Sequence, residues 1–138
     1  MKDFDLGIER QFFDLCKEGC CIGIEKILKK HPDLLHHKSN EGWSAIIVAS
    51  FWQRYKLVNF LIKCGANVND VGKSGTSVLM YAKTKLLGYK NPNLSLLELL
   101  INAGAETNRK DNFGNDIFYY LNKKNSSDKI IESYLKSF

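Results

Sequence analysis

A chain of 138 residues with 44% hydrophobic and 25% charged side chains carries enough apolar material to bury a core and too much to remain disordered. No apolar run approaches the roughly 20 residues of a membrane span, and Asp3, Asp5 and Glu9 stand where a secretory leader needs basic and then apolar residues. The formal charge of +5 favours acidic partners, yet the lysines are interleaved with acids along the whole chain, as on a solvated surface rather than a nucleic-acid stripe.

The first predicted helix begins near Ile8 and carries Phe12, Phe13, Leu15 and Cys16. After Gly19 a second carries Ile22, Ile24, Ile27 and Leu28, and Pro32 stops it. Aromatic side chains beside Glu9, Arg10, Asp14 and Lys17 suit an end unit, which packs on one side and meets water on the other. Cys16 and Cys20 are spaced one helical turn apart, but no Cys or His pair completes a tetrahedral zinc site, so the thiols read as buried or incidental. Thiols without a disulfide framework fit a reducing compartment, and the expected location is cytoplasmic. In the linker that follows, His31 reads as a helix-end residue and His36-His37 as a solvated turn.

From Gly42 a pattern begins that returns. Gly42-Trp43-Ser44-Ala45-Ile46-Ile47-Val48-Ala49 is echoed by Gly75-Thr76-Ser77-Val78-Leu79-Met80-Tyr81-Ala82, and more loosely by Gly114-Asn115-Asp116-Ile117-Phe118-Tyr119-Tyr120-Leu121. Ser44, Ser77 and Asp116 stand where a helix needs an oxygen to accept its first amide hydrogens, and are predicted N-caps. Helices are expected from Ser44, over Tyr55–Lys63, from Ser77 to about Thr84, over the run Leu94 to Ile101, and from about Ser127. Gly65 and Gly104 close two of them. The longer second interval places an insertion around Leu87-Gly88-Tyr89-Lys90-Asn91-Pro92-Asn93, in a loop that serves specificity or is simply tolerated. Ile117 to Tyr120 reads as the start of a closing unit or as a half-helix cap.

These copies resemble ankyrin repeats. The family phrase of a turn with aspartate and glycine, then Thr-Pro-Leu-His-x-Ala, a helix ending in Leu-Leu, and Gly-Ala-Asp-x-Asn is matched by Gly42 to Ala49, by Leu61-Ile62-Lys63-Cys64-Gly65-Ala66-Asn67-Val68-Asn69, and by Leu100 to Asp111. The resemblance implies an all-α solenoid of stacked helix-turn-helix units with short protruding turns, in approximate units 1–38, 39–71, 72–110 with the insertion near 85–93, and 111–138. Its proline is replaced by Ala45, Val78 and Ile117, and its histidine by Ile47, Met80 and Tyr119, so the usual threonine–histidine bonding is lost. Gly72 holds the turn position that Asp111 keeps in the next unit.

The resemblance also implies a binding module, with no catalytic residue, cofactor or metal, that meets a protein partner on its concave side. Turn positions beside the repeating glycines then include Trp43, Lys73, Thr76, Phe113 and Asn115; helix-end positions are Phe51 and Trp52, then Lys83 and Thr84, then Asn122 and Lys123. Trp43, Phe51, Trp52 and Phe113 are the expected anchors, because large rigid rings dominate binding hot spots. Lys73, Lys83 and Lys123 are the expected positive rim for an acidic partner face. An inhibitor or immunity protein is one expected form; a nucleic-acid adaptor and an effector acting on host proteins are the alternatives. A monomer is expected, with Phe12, Phe13, Tyr134 and Phe138 as the surfaces through which two stacks would pair.

Overall fold

Ser39, Gly72 and Asp111 each open a turn closed by the same two backbone hydrogen bonds. The amide hydrogens of Gly42, Gly75 and Gly114 are donated back to the carbonyls of Ser39, Gly72 and Asp111, while those same three residues donate to the carbonyls of Trp43, Thr76 and Asn115. The turns are the three protruding fingers. They pack along a row: Asn112 donates its amide to Ser74 O at 2.8 Å, and a β-carbon on Gly75, which has φ +74°, would lie 2.6 Å from Asn112 Oδ1 and 3.0 Å from Asn112 N. Gly114 shares the left-handed conformation but has open space around it. Gly75→Ala is therefore expected to cost roughly 2 kcal/mol or more, and Gly114→Ala about 1 kcal/mol from conformation alone; urea midpoints of the two variants check the difference.

The computed structural model describes residues 5–122 and 124–138; Lys123, one of the expected rim lysines, lies outside them. Helices α1 (Leu6–Glu18), α3 (Ala45–Phe51) and α5 (Val78–Thr84) form one layer; α2 (Cys21–Lys30), α4 (Tyr55–Lys63) and α6 (Ser95–Asn102) form the other. Each helix packs on its chain neighbour and on the corresponding helix of the next unit. Helix α3 has seven residues, too few to persist alone. Its burial is what holds it: every side chain from Ala45 to Ser50 is buried, between α1, α4 and α5. Short 3₁₀ turns at Pro32–His36 and Ile117–Tyr120 complete the first and last units, and α7 (Ser126–Leu135) closes the stack with Ile131 and Leu135 in the core. Among the described residues no strand forms beyond an isolated Val71–Ser77 bridge. No described helix is long and apolar enough to cross a membrane.

Two of the three expected caps form. Ser77 Oγ accepts from Met80 N and an Asp116 carboxylate oxygen from Tyr119 N, both at 3.2 Å. Ser44 holds the N-cap position without a side-chain cap bond; its hydroxyl donates instead to Asp70, whose other oxygen lies 2.7 Å from Lys38 Nζ. That triad ties the first finger to the second. Asn69 does the same one unit on, donating Nδ2 to Gly104 O at 3.0 Å and accepting from Glu106 N at 2.9 Å. Side-chain polar bonds thus link the second unit to the fingers on either side of it.

The first unit differs from expectation in two places. Phe12 is wholly buried and only Phe13 is half-exposed, because α1 turns Phe12 inward onto α3. His37 is half-buried, with Nε2 3.2 Å from Glu9 Oε1 and its ring against Phe13, so the solvated turn is His36 alone.

Candidate functional site

The first finger, the end of α3 and the middle of α5 bring four rings into one row. Trp43 stacks on Phe51 with centroids 6.3 Å apart, Phe51 meets Trp52 edge-on at 5.4 Å, and Trp43 meets Tyr81 edge-on at 6.1 Å. All four are half-buried, so part of each side chain remains accessible to solvent. Trp43 Nε1 donates to Tyr81 Oη at 3.2 Å, so the first finger's tryptophan is braced by the next unit. Gly72 makes this possible. A β-carbon there would collide with the Tyr81 hydroxyl, whereas in the following unit Asp111 keeps its side chain and receives the hydroxyl of Tyr120, the residue in register with Tyr81. Asp111 also accepts from the amides of Phe113 and Asn115 at 2.9 and 3.0 Å. Those bonds, the Tyr120 hydroxyl first, hold its carboxyl below the usual carboxylate range.

Two lysines lie over the row. Lys85 Nζ is 4.2 Å from the Trp52 ring centroid and 4.8 Å from that of Phe51; Lys17 Nζ is 4.6 Å from Trp52. Trp52, the C-cap of α3, is flanked by Lys17 near the end of α1 and by Lys85, the C-cap of α5. Each ammonium–ring contact is worth about 0.5–1 kcal/mol at such partly exposed sites. The rings are therefore pre-positioned rather than free rotors.

Lys83 is not on the rim. It is 6% exposed, packs its ammonium 5.6 Å from the Tyr120 ring centroid, and lies in the field of the buried Asp128 carboxylate. Residue 83 sits on the inward side of α5, and the residue 33 after Trp52 is Lys85; the expected helix-end pairing was one residue out of register. Burial holds the Lys83 ammonium below the ordinary lysine range, with Asp128 acting the other way. Since the folded chain binds this proton less readily than the unfolded one, stability rises with pH between that lowered pKa and 10.5. Lys83→Met is expected to remove that rise, to cost about 3 kcal/mol at neutral pH because the buried Asp128 carboxylate loses its counter-charge, and to leave partner affinity unchanged. Denaturation over a pH series, with one affinity measurement, checks all three.

The remaining expected residues are spread over the next two fingers. Lys73 is exposed and its aliphatic chain covers Gly42, where a β-carbon would meet Cγ at 2.7 Å. Thr76 is half-buried. Phe113 is 73% exposed at the third finger's tip, and Asn115 below it is fixed by its two bonds to Asp111. Sequence reasoning missed Lys17, Tyr81 and Lys85. Of these, Lys85 was recoverable by applying the 33-residue offset to Trp52.

Elsewhere, Cys16 is buried and its thiol is pushed far above the ordinary range by desolvation, while Cys64 is exposed. Among the described residues no group of three or more His, Cys, Asp or Glu side chains is arranged to hold a metal ion.

Comparison with known proteins follows the same outline. A family model described as ankyrin repeats, three copies, matches residues 14–111. Transient receptor potential cation channel subfamily A member 1 of Homo sapiens is 30% identical over 71 residues, which is 51% of this chain and 6% of that protein. The inactive serine/threonine-protein kinase TEX14 of Mus musculus is 28% identical over 110 residues, 80% of this chain and 7% of the relative. An ankyrin repeat protein of Acanthamoeba polyphaga mimivirus is 22% identical, covering 78% of this chain and 24% of its own length. The chain thus spans a small part of each of these curated relatives.

Proposed function

This chain belongs to the ankyrin-repeat family, whose repeats generally mediate contacts between proteins, and from that premise we propose that it is a non-enzymatic module that binds a protein partner on the face formed by its inner helices and fingers. The observation that carries the proposal is the row Trp43, Phe51, Trp52 and Tyr81, partly open to solvent and fixed by internal stacking and by Lys17 and Lys85. Aromatic rings held in place lose little entropy on binding and are the residues most enriched in hot spots. Lys17 and Lys85, with Lys73 on the second finger, give the face a positive edge suited to an acidic partner.

Blocking another protein's active surface, as an inhibitor or immunity protein does, is one use of such a face. The test is capture of a partner by the purified chain, its identification by mass, and titration of the two purified proteins against each other. Retained affinity in both Trp43→Ala and Trp52→Ala, with the chain still folded, rules out the aromatic row as the interface.

A further inference from the structure

The 85–94 loop bounds a cleft of about 630 Å³, within the range of sites that hold ligands. Its walls include Tyr55 at the start of α4, Ser95 at the start of α6, and Lys85, Tyr89, Asn91 and Pro92 from the loop itself. We propose that this cleft holds an acidic segment of the protein partner, with Lys85 meeting a carboxylate and Tyr55 and Tyr89 packing against the neighbouring side chains. The proposal rests on the partner-binding reading above and extends it from the aromatic row to a second surface.

Charge and continuity argue for this occupant. Among the described residues lining the cleft, Lys85 carries the only charge, and no carboxylate in the lining neutralises it. A basic segment would be repelled. A nucleic acid would bring a series of phosphates to a single ammonium, whereas its affinity depends on neutralising several. The same Lys85 lies over Phe51 and Trp52, so one residue borders both the cleft and the aromatic row.

The loop is also built to hold its shape. Leu86 is buried, and Gly88 donates its amide to Ser127 Oγ at 2.9 Å, pinning the insertion to the closing unit. Tyr89 is nevertheless 63% exposed and Tyr55 44%. Large rings presented on a fixed loop bind at low entropic cost.

The test uses the full chain and three fluorescent probes: a synthetic peptide of glutamate, leucine and glycine, its counterpart with lysine at every glutamate, and a thymidine oligonucleotide. Binding is read by anisotropy and by amide shifts of the ¹⁵N-labelled chain. The glutamate peptide is expected to bind and to shift Tyr89, Asn91 and Ser95. Tyr89→Ala and Lys85→Gln are each expected to weaken it about five-fold or more, while Lys63→Gln, which removes the same charge at the far end of α4, changes it by less than about two-fold. Equal losses in Lys85→Gln and Lys63→Gln, stronger shifts of those amides by either other probe, or no shift there at all would overturn the proposal. The captured partner separates the two readings. If its affinity falls with Trp52→Ala and not with Tyr89→Ala, the cleft is refuted and the aromatic row stands; if it falls with none of Trp43→Ala, Trp52→Ala and Tyr89→Ala, both are refuted.

Discussion

Trp52→Ala is expected to weaken partner binding by roughly 30-fold or more, the equivalent of about 2 kcal/mol, which is the threshold of a hot-spot residue. Trp52 is the ring on which both lysines rest. Removing it takes away a large apolar contact at the end of the row, releases Lys17 and leaves Lys85 over Phe51 alone, so the positive edge is loosened with it. Lys17→Gln with Lys85→Gln keeps the ring, and is expected to cost less and to act more on the association rate and its salt dependence. The tryptophan effect must be separated from unfolding. Trp52 is only half-buried at the end of α3, with its ring at the surface, so thermal melts of the variant should show a stack that remains folded at the temperature of the titration.

Ile47→Ala is expected to cost 2–5 kcal/mol of folding stability, the range for truncating a buried aliphatic side chain. Ile47 is wholly buried in α3, and α3 is the helix that touches both neighbouring units as well as its own outer partner. In a stack each unit depends on its neighbours, so a cavity at the centre weakens interfaces on both sides at once. Native domains have about 5–15 kcal/mol in total, and the variant therefore loses a large share. Ile22→Ala is the control. Ile22 is 69% exposed on α2, and its truncation is expected to change stability by no more than about 0.5 kcal/mol. Equal urea midpoints for the two variants would contradict the two-layer packing.

The helices and fingers were legible because they rest on local chemistry. Glycine at the left-handed turn positions, an N-cap oxygen at Ser77 and Asp116, and apolar side chains at helical spacing in Leu57, Val58 and Leu61 all act within a few residues of themselves. What the sequence hid acts across units. Ser44 has the same local setting as Ser77, yet Asp70, 26 residues on, takes its hydroxyl and leaves the helix end uncapped. Lys83 is buried because the closing unit folds Tyr120 and Asp128 over it, which no pattern within α5 announces. Tyr81 joined the candidate site for a reason found only in pairs of positions: Gly72 lacks the side chain that would occupy the space of its hydroxyl, and Trp43 supplies the donor. Trp43, Phe51 and Trp52 could be named as candidates from composition and position; the lysines that lie over Trp52 needed the geometry.

The chain contains two tryptophans, so a ¹⁵N spectrum of the full chain carries two indole Nε1–H resonances, one for each end of the proposed interface. Titration with the captured and purified partner should move or broaden both, Trp43 through its contact with Tyr81 and Trp52 through displacement or burial of its lysines. A partner that binds at full occupancy and leaves both indole resonances at their free positions would contradict the account.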